Sequence, residues 1–210
     1  LGESMGGAIT LSFINKFNDL PIEGVILVAP AIWNFSDQNF WKSISLRFFS
    51  FIFPNIKVSA KGIIKVKASD NMEMLKKLSQ DKFFIHEPTI KSLNGIVDLM
   101  DESYIDTFEY LNNPKYNSLI LLPIKDEIVP RKPFVKILKR IQKNKKNIEM
   151  TEIGIYENHY HMILRDLRTE KVLTDVKNWI LSENPKKNQS SLNDIISNLQ
   201  KFWYYHRLDK

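Results

Sequence analysis

The sequence contains no cysteine in its 210 residues. That absence excludes a disulfide-bonded scaffold, metal sites built from thiolates and a cysteine nucleophile. Long apolar runs are lacking as well. Apolar stretches such as residues 48–53, which Ser50 interrupts, are far shorter than the roughly 20 residues that a membrane-spanning helix needs. We therefore predict that the 210-residue chain is not an integral membrane protein.

Signatures of nucleic-acid binding are also lacking, although the formal net charge is +6. Residues 131–146 carry eight basic side chains and no acidic one, but apolar residues recur among them at helical spacing. This pattern is typical of a solvated helix face, and no zinc finger, aromatic RNP segment or helix-turn-helix pattern accompanies it. Metal-ligand clusters and nucleotide-binding motifs are absent too. We therefore predict no nucleic-acid partner, no metal and no cofactor.

The composition that is present is that of a folded domain with a packed core, since 43% of the residues are hydrophobic and 26% are charged. Short β-branched runs alternate along the chain with segments of helical periodicity. This order predicts an α/β fold in which helices flank a parallel sheet. The predicted strands are residues 24–30, 118–123 and 148–154, and the predicted flanking helices are residues 6–17, 133–143 and 163–181.

A long insertion separates the first two predicted strands, because residues 31–110 are too many for a simple crossover. Within it, residues 39–53 are rich in aromatic side chains, and residues 70–78 and 90–108 have amphipathic helical spacing. We interpret residues 31–110 as a helical cap on a core formed by residues 1–30 and 111–182.

The end of the chain has a different composition. Residues 183–191 resemble a linker, and residues 192–210 are expected to hold a C-terminal helix that runs to about residue 205. The tip of that helix is aromatic and basic. We expect it to dock on the domain or on a partner chain, with a membrane interface as the alternative.

One short motif indicates the chemistry. Gly2-Glu3-Ser4-Met5-Gly6 matches the G-x-S-x-G pattern of a sharp turn between a strand and a helix, which exposes a serine hydroxyl. Small residues two positions before and two after the serine are expected to let the two backbones approach each other. The alternative is a glycine-rich phosphate-binding loop. The motif lacks the Lys-Ser/Thr ending of a P-loop and has the wrong glycine spacing for a dinucleotide site.

A serine nucleophile needs a base to remove its proton. Of the four histidines, His86 falls in the predicted cap and His206 in the tail, whereas His159 and His161 follow the third predicted strand. A loop at the carboxyl edge of the sheet would face the serine. We favour His161 because it directly precedes the next predicted helix, and His159 is the alternative.

The base in turn needs an acid to orient it, and that acid is expected at the end of an earlier strand. Asp126 follows the strand predicted at residues 118–123, with Glu127 as the alternative. The chain order Ser4, Asp126, His161 is the order found in α/β-hydrolases and differs from the orders of the chymotrypsin and subtilisin triads.

Five segments of the chain resemble the monoacylglycerol lipase and lysophospholipase branch of the α/β-hydrolases, and the resemblance covers residues 1–182. It implies that Ser4 attacks, that His161 acts as base and then acid, and that Asp126 holds the imidazole. It also implies a helical cap over an acyl pocket and a role for the Met5 N–H in binding the oxyanion. The segments are Gly2-Glu3-Ser4-Met5-Gly6-Gly7, Leu27-Val28-Ala29-Pro30-Ala31-Ile32-Trp33, Ser69-Asp70-Asn71-Met72-Glu73-Met74-Leu75, Lys125-Asp126-Glu127-Ile128-Val129-Pro130 and Tyr160-His161-Met162-Ile163-Leu164-Arg165-Asp166.

The chain departs from that branch in three places. Pro123-Ile124-Lys125 replaces the usual small residues before the acid, and Glu157-Asn158-His159 replaces a glycine-containing approach to the histidine. Members of the branch also carry strands and a His-Gly loop before the elbow, which supply a second oxyanion donor. Because losing one such donor typically costs about 100- to 1,000-fold in rate, we expect this chain, as an amino-terminally truncated fragment, to hydrolyse esters poorly by itself.

The expected activity is hydrolysis of a lipid ester with a single acyl chain, a monoacylglycerol or a lysophospholipid, in the cytoplasm or at a membrane periphery. The alternatives are an acyltransferase, a small-molecule carboxylesterase or a non-catalytic binding protein on a hydrolase fold. The aromatic residues expected to contact the acyl chain or the membrane, unless they form the cap's own core, are Trp33, Phe40, Trp41, Phe48 and Phe49. The oligomeric state is left open.

Overall fold

The sheet of this protein has four parallel strands in the order β1-β2-β3-β4. A computed structural model describes residues 1–59, 66–144, 148, 150–182 and 191–201. The strands are β1 (Gly2–Glu3), β2 (Gly24–Val28), β3 (Asn117–Pro123) and β4 (Thr151–Tyr156). Because the strands are parallel and adjacent, their carboxyl ends meet at one edge of the sheet. The predicted α/β fold is confirmed.

Eight helices surround the sheet in the described part of the chain. They are α1 (Met5–Lys16), α2 (Phe35–Gln38), α3 (Phe40–Ile52), α4 (Met72–Gln80), α5 (Ile90–Asn112), α6 (Lys132–Lys143), α7 (Thr169–Leu181) and α8 (Leu192–Lys201). Helices α1, α4 and α6 begin and end within two residues of their predicted bounds. Helix α5 begins where predicted, at Ile90, and continues beyond residue 108 to Asn112.

The two faces of the sheet bury different helices. On β2, Val25 and Leu27 pack toward α1, α5, α6 and α8, whereas Ile26 and Val28 pack toward α7. Strand β3 alternates in the same way, with Ile120 on the first face and Leu121 on the second. Both faces of a central strand are therefore apolar, which is why these strands read as continuous hydrophobic runs in the sequence.

Two elements differ from their predicted bounds. Strand β4 covers residues 151–156 instead of 148–154, because the N–H of Thr151 bonds to the carbonyl of Ile148 and the pairing of the strand with β3 continues to Tyr156. The helix predicted at residues 163–181 begins only at Thr169. The residues before it form a series of turns in which Asp166 accepts a hydrogen bond from the backbone N–H of Tyr160.

The helices between β2 and β3 pack against different parts of the molecule. Helix α5 is attached to α1 along its carboxyl-terminal half, where Asp106 accepts a 2.5 Å hydrogen bond from the hydroxyl of Ser12. Helix α3 packs against the amino-terminal half of α5 and carries Arg47, which pairs with Asp98. We still propose that residues 31–110 form the helical cap.

Helix α8 lies on the sheet face that carries α1, where Ile195, Ile196 and Leu199 are buried in the core. The aromatic tip predicted at residues 202–207 and most of the predicted linker lie outside the described residues. Among the residues that are described, no helix has the length and apolar character needed to cross a membrane.

Candidate active site

Ser4 lies at the junction between β1 and α1, at the carboxyl edge of the sheet. Its N–H donates to the carbonyl of Val28 at 2.9 Å, and its own carbonyl accepts from the N–H of Ala31 at 3.0 Å. The backbone has φ 53° and ψ −117°, a positive φ that costs a non-glycine residue about 1–3 kcal/mol. Contacts to the end of β2 hold this strained turn, and the turn projects the hydroxyl away from the sheet.

The glycines of the motif have unequal roles. A Cβ on Gly2 would lie 2.5 Å from the carbonyl oxygen of Gly6, and one on Gly7 would lie 2.7 Å from Cβ of Pro30. A Cβ on Gly6 would meet no atom within 4 Å. The sequence-based expectation was therefore wrong for the position two residues after the serine. In this turn the close approach after Ser4 is made by Gly7, which packs against the loop that follows β2.

His161 connects two other predicted residues. Its Nε2 lies 2.8 Å from Oγ of Ser4, and its Nδ1 lies 2.8 Å from Oδ2 of Asp126. The imidazole and the carboxylate are both almost fully buried. An ionised carboxylate only accepts hydrogen bonds, so Nδ1–H donates to Asp126 and Nε2 is left to accept from the serine hydroxyl. This is the arrangement in which an imidazole can withdraw the hydroxyl proton.

Asp126 is fixed by its own loop, which follows β3. Its Oδ1 accepts hydrogen bonds from the backbone N–H groups of Ile128 at 2.8 Å and Val129 at 3.0 Å. These contacts close a local turn in which an aspartate bonds to the backbone two and three residues ahead. Oδ2 is thereby directed at the imidazole.

Glu127 and His159, the alternative acid and base that the sequence offered, make other contacts. Glu127 accepts a hydrogen bond from the backbone N–H of Lys67 at 2.8 Å. His159 is buried, and its Nε2 lies 3.0 Å from the carbonyl of Arg168, while its ring stacks edgewise on Tyr156. Neither contact involves Ser4. The structure thus brings together Ser4, Asp126 and His161. His86 is exposed beside Phe84, and His206 lies outside the described residues.

Met5 is the first residue of α1. The first N–H groups of a helix have no carbonyl acceptor in a preceding turn, so the Met5 N–H is free of the helical ladder at the base of the serine turn. The partial positive charge at a helix N-terminus favours an anion there. The geometry suits the stabilisation of an oxyanion that forms on a carbonyl attacked by Ser4.

Four of the five aromatic residues predicted to bind substrate lie on α3, and all four are exposed. Phe40, Trp41, Phe48 and Phe49 keep between 48% and 78% of their surface accessible, so they do not form a buried core within the described part of the chain. Trp33 is partly buried and meets Phe35 edge to face, with ring centroids 5.1 Å apart.

The sequence pattern predicts no role for Asp166, although this residue ends one of the five segments that resemble the lipase branch. This residue is 2% exposed and accepts hydrogen bonds from Oγ of Ser69 at 2.6 Å and from the N–H of Tyr160 at 2.7 Å. The available signal was the position of an acid five residues after His161. The burial of that acid is a tertiary effect that the local pattern does not contain. Within the described ranges, no group of three or more metal-ligating side chains could hold a metal ion.

The chain is similar to known hydrolases over most of its length. A family model, Hydrolase_4, described as serine aminopeptidase, S33, matches residues 1–168. No curated protein matches the chain significantly.

Several solved structures have the same fold. A monoacylglycerol lipase from Paleococcus ferrophilus has a TM-score of 0.67 and 19% identity, covering 85% of this chain and 66% of that protein. A soluble variant of monoglyceride lipase from Saccharomyces cerevisiae has a TM-score of 0.60 and 19% identity, covering 85% and 62%. A carboxyl esterase from Bacillus coagulans has a TM-score of 0.54 and 14% identity, covering 96% and 63%. The chain therefore has the α/β-hydrolase fold and spans just under two thirds of the length of these proteins.

Proposed function

The chain belongs to the Hydrolase_4 family of α/β-hydrolases, and from that premise we propose that it is a serine ester hydrolase whose catalytic residues are Ser4, His161 and Asp126. The observation that carries the proposal is the pair of 2.8 Å contacts on the two nitrogens of His161. A serine at a strained turn, a base within bonding distance and a buried acid behind the base are the three parts that nucleophilic acyl transfer requires.

The reaction proceeds in two halves. Ser4 Oγ attacks the ester carbonyl as its proton moves to Nε2 of His161, and the Met5 N–H donates to the oxyanion. The tetrahedral intermediate collapses when Nε2–H protonates the leaving alcohol, which departs and leaves an acyl-serine. Water then attacks the acyl-serine, giving its proton to Nε2, and the carboxylic acid leaves as the proton returns to Oγ. Asp126 stays ionised and stabilises the imidazolium formed in each half.

For the substrate we propose a lipid ester with a single acyl chain, either a monoacylglycerol or a lysophospholipid. The support is the apolar surface of α3, which would receive an acyl chain and is unusually open to solvent. Small-molecule carboxylesterase and acyltransferase activity are the alternatives, and the description of the family adds cleavage of an amino-terminal peptide bond as an outcome to be tested.

Labelling of Ser4 by a fluorophosphonate tests the proposed chemistry directly, because the probe needs an activated serine and a single turnover. Wild-type protein is expected to be labelled, whereas Ser4→Ala and His161→Asn are expected to lose labelling. Ser79→Ala is the matched control, because Ser79 is exposed on α4 and bonds only to the carbonyl of Lys76. Labelling that persists in Ser4→Ala would reject the proposal, and absence of labelling in the wild type would favour a non-catalytic binding protein.

Substrate class is tested by comparing burst release from four kinds of compound. Monoacylglycerol and lysophosphatidylcholine are expected to acylate the protein faster than p-nitrophenyl acetate and an aminoacyl p-nitroanilide. A preference for the acetate would favour a carboxylesterase, and a preference for the anilide would favour a peptidase. Addition of glycerol separates hydrolysis from acyl transfer, because an acyltransferase would form a new ester in place of free acid.

We also propose that α3 contacts the lipid surface that holds the substrate. Trp41, Ile44, Phe48 and Phe51 follow one another at helical spacing and form an exposed stripe, which we call the α3 stripe, whereas Ser43 on the other side of the helix is buried. Trp41 and Phe51 are 78% and 88% exposed. An apolar stripe of this kind on the outside of a helix is the feature that binds a bilayer interface.

Co-sedimentation with phosphatidylcholine vesicles tests this contact. Trp41→Ala and Phe51→Ser are expected to weaken vesicle binding without changing the urea midpoint, because neither side chain is packed. Ile180→Ser is the control, since Ile180 is 61% exposed on α7, on the other face of the sheet. Equal vesicle binding by all three variants and the wild type would reject the contact.

A further inference from the structure

The loop that carries His161 has no regular secondary structure of its own. Residues 157–168, between β4 and α7, form turns and bends. Ser4 sits at a strand-helix junction and Asp126 in a self-bonded turn, whereas the loop of His161 is held by its own bond from the Tyr160 N–H to Asp166 and by contacts with other parts of the chain. One of these contacts joins it to the loop after β3, where the N–H of Lys125 donates to the carbonyl of His159 at 2.9 Å.

A larger group of these contacts comes from residues 68–71, which precede α4 and lie about 90 residues away in sequence. Five hydrogen bonds join the two segments. Ala68 accepts from the N–H of Met162 at 2.9 Å, and Ser69 Oγ donates to Asp166 Oδ1 at 2.6 Å. The other three join the N–H of Asp70 to Asp166 at 3.3 Å, the side chain of Asn71 to the carbonyl of Arg165 at 3.1 Å, and the N–H of Leu167 to Asp70 Oδ1 at 2.8 Å.

The bonds fall on both sides of the histidine. The N–H of Tyr160, one residue before it, donates to Asp166 Oδ2, and the N–H of Met162, one residue after it, donates to Ala68. Asp166 and Ser69 are both buried, at 2% and 0% exposure, so these bonds are shielded from competing water. The backbone is therefore held by the same assembly at the residue before His161 and at the residue after it.

We propose that Asp166 and residues 68–71 form a clamp that positions His161 for proton transfer, an inference that rests on the proposed function. Asp166 is a positioning residue in this scheme, because it acts through the backbone of the loop and does not touch the reacting atoms. Ser69 transmits the position of the segment before α4 to Asp166. Asn71 also caps α4 by accepting from the N–H of Met74 at 3.0 Å, so the clamp connects that helix to the base.

The magnitude follows from the geometry of proton transfer. His161 must reach Ser4 Oγ and Asp126 at the same time, and a displacement of about 1 Å in a catalytic group can cost 100-fold in rate. Loss of the Asp166 carboxylate weakens its bonds to the Tyr160 N–H and to the Ser69 hydroxyl, whereas loss of the Ser69 hydroxyl removes only the second of these bonds. We expect substrate affinity to be independent of these bonds, since none of them involves Ser4 or the Met5 N–H.

The test measures fluorophosphonate labelling of Ser4 as a function of probe concentration, which separates the maximal rate from the apparent affinity. Asp166→Asn is expected to lower the maximal rate by about 10- to 100-fold with the affinity unchanged. Ser69→Ala is expected to lower it by about threefold to tenfold and is the milder variant should the first fold poorly.

A second pair of buried residues joined by a hydroxyl-to-carboxylate bond, between α1 and α5, provides the matched controls. Ser12 and Asp106 join α1 to α5 through a buried hydroxyl-to-carboxylate bond of 2.5 Å and have no contact with the histidine loop. Ser12→Ala and Asp106→Asn are expected to lose comparable stability in urea yet keep the maximal labelling rate. A general loss of stability would lower the rate in both pairs, whereas positioning of His161 lowers it only in the clamp.

The outcomes separate the clamp from the function. If the wild type is labelled and Asp166→Asn and Ser69→Ala are labelled as fast as the controls, the clamp is wrong and the proposed function stands. If the wild type is not labelled, the proposed function fails, and amide exchange decides whether the clamp exists. Faster exchange at Tyr160 and Met162 in Ser69→Ala than in Ser12→Ala supports it, and equal exchange overturns it.

Discussion

Replacing Asp126 by asparagine should abolish the proposed base without disturbing the loop that surrounds it. The backbone N–H groups of Ile128 and Val129 both donate to Oδ1, so the amide oxygen of an asparagine must take that position. Its NH2 group then faces Nδ1 of His161, which lies 2.8 Å from the present Oδ2. An NH2 group cannot accept a hydrogen bond, and Nδ1 must therefore become the acceptor.

The change of tautomer determines the size of the effect. With Nδ1 unprotonated, the neutral imidazole carries its proton on Nε2, the nitrogen 2.8 Å from Ser4 Oγ. Nε2 can then donate to the serine but cannot remove its proton. The same substitution in a serine protease triad lowers kcat by about 10⁴-fold, which corresponds to about 5 kcal/mol of activation free energy. We expect a loss of that order in the rate of labelling and of ester cleavage.

The free energy of unfolding should respond to substitutions of Asp126 differently from the reaction rate. Asp126→Asn keeps the bonds to the loop and is expected to leave the urea midpoint nearly unchanged, whereas Asp126→Ala orphans two N–H groups and is expected to cost about 1–3 kcal/mol. Nitrogen-15 NMR of His161 would report the tautomer directly. Glu127→Gln is the control, because that carboxylate contacts Lys67 instead of the imidazole. A small loss in Asp126→Asn together with a large loss in Glu127→Gln would refute this reasoning and make Glu127 the orienting acid.

Three further predictions concern stability. Gly7→Ala places a Cβ 2.7 Å from Pro30 Cβ and should cost about 1–3 kcal/mol in urea unfolding, whereas Gly6→Ala has open space and should be neutral or stabilising by up to about 1 kcal/mol. Leu199, on α8, is fully buried in the core, so Leu199→Ala should cost about 2–5 kcal/mol, and an unchanged midpoint would show that α8 does not pack there. Burial and a hydrogen bond to a neighbouring aspartate raise the pKa of Tyr156 above that of an unfolded tyrosine, about 10. The stabilisation that depends on the neutral phenol is complete below about pH 10 and is lost as the pH rises above it. The free energy of unfolding should therefore fall more steeply above about pH 10 in the wild type than in Tyr156→Phe. Parallel plots of unfolding free energy against pH for the two proteins would contradict this account.

The parts of the fold that sequence predicted well are those set by periodicity. Strands β2 and β3 are buried on both faces, and that burial is written in their unbroken apolar runs. Helix α6 was predicted because its apolar residues recur at helical spacing beneath a basic face. The carboxyl ends of parallel strands meet at one edge, so a serine after β1, an acid after β3 and a histidine after β4 were expected to meet.

The parts that differed are set by tertiary contacts. Residues 163–168 have helical spacing, but they form turns in which the buried carboxylate of Asp166 bonds to the Tyr160 N–H and to Ser69. The space around Gly6 and Gly7 depends on the loop after β2, which no local pattern specifies. The exposure of the α3 stripe is likewise a property of packing, since aromatic spacing is the same whether a helix face is buried or open.

The three residues of the candidate site are held in different ways, and the difference has a functional consequence. Backbone bonds to the end of β2 fix Ser4, and a turn of its own loop fixes Asp126, so both positions depend on the core of the sheet. The loop of His161 is bound both to the loop after β3, through the Lys125 N–H and the His159 carbonyl, and to residues 68–71, which continue directly into α4. A movement of α4 would therefore act most directly on the loop that carries the base. Because proton transfer requires all three groups in register, the segment before α4 is the point at which events on the helical insertion could control the chemistry at Ser4.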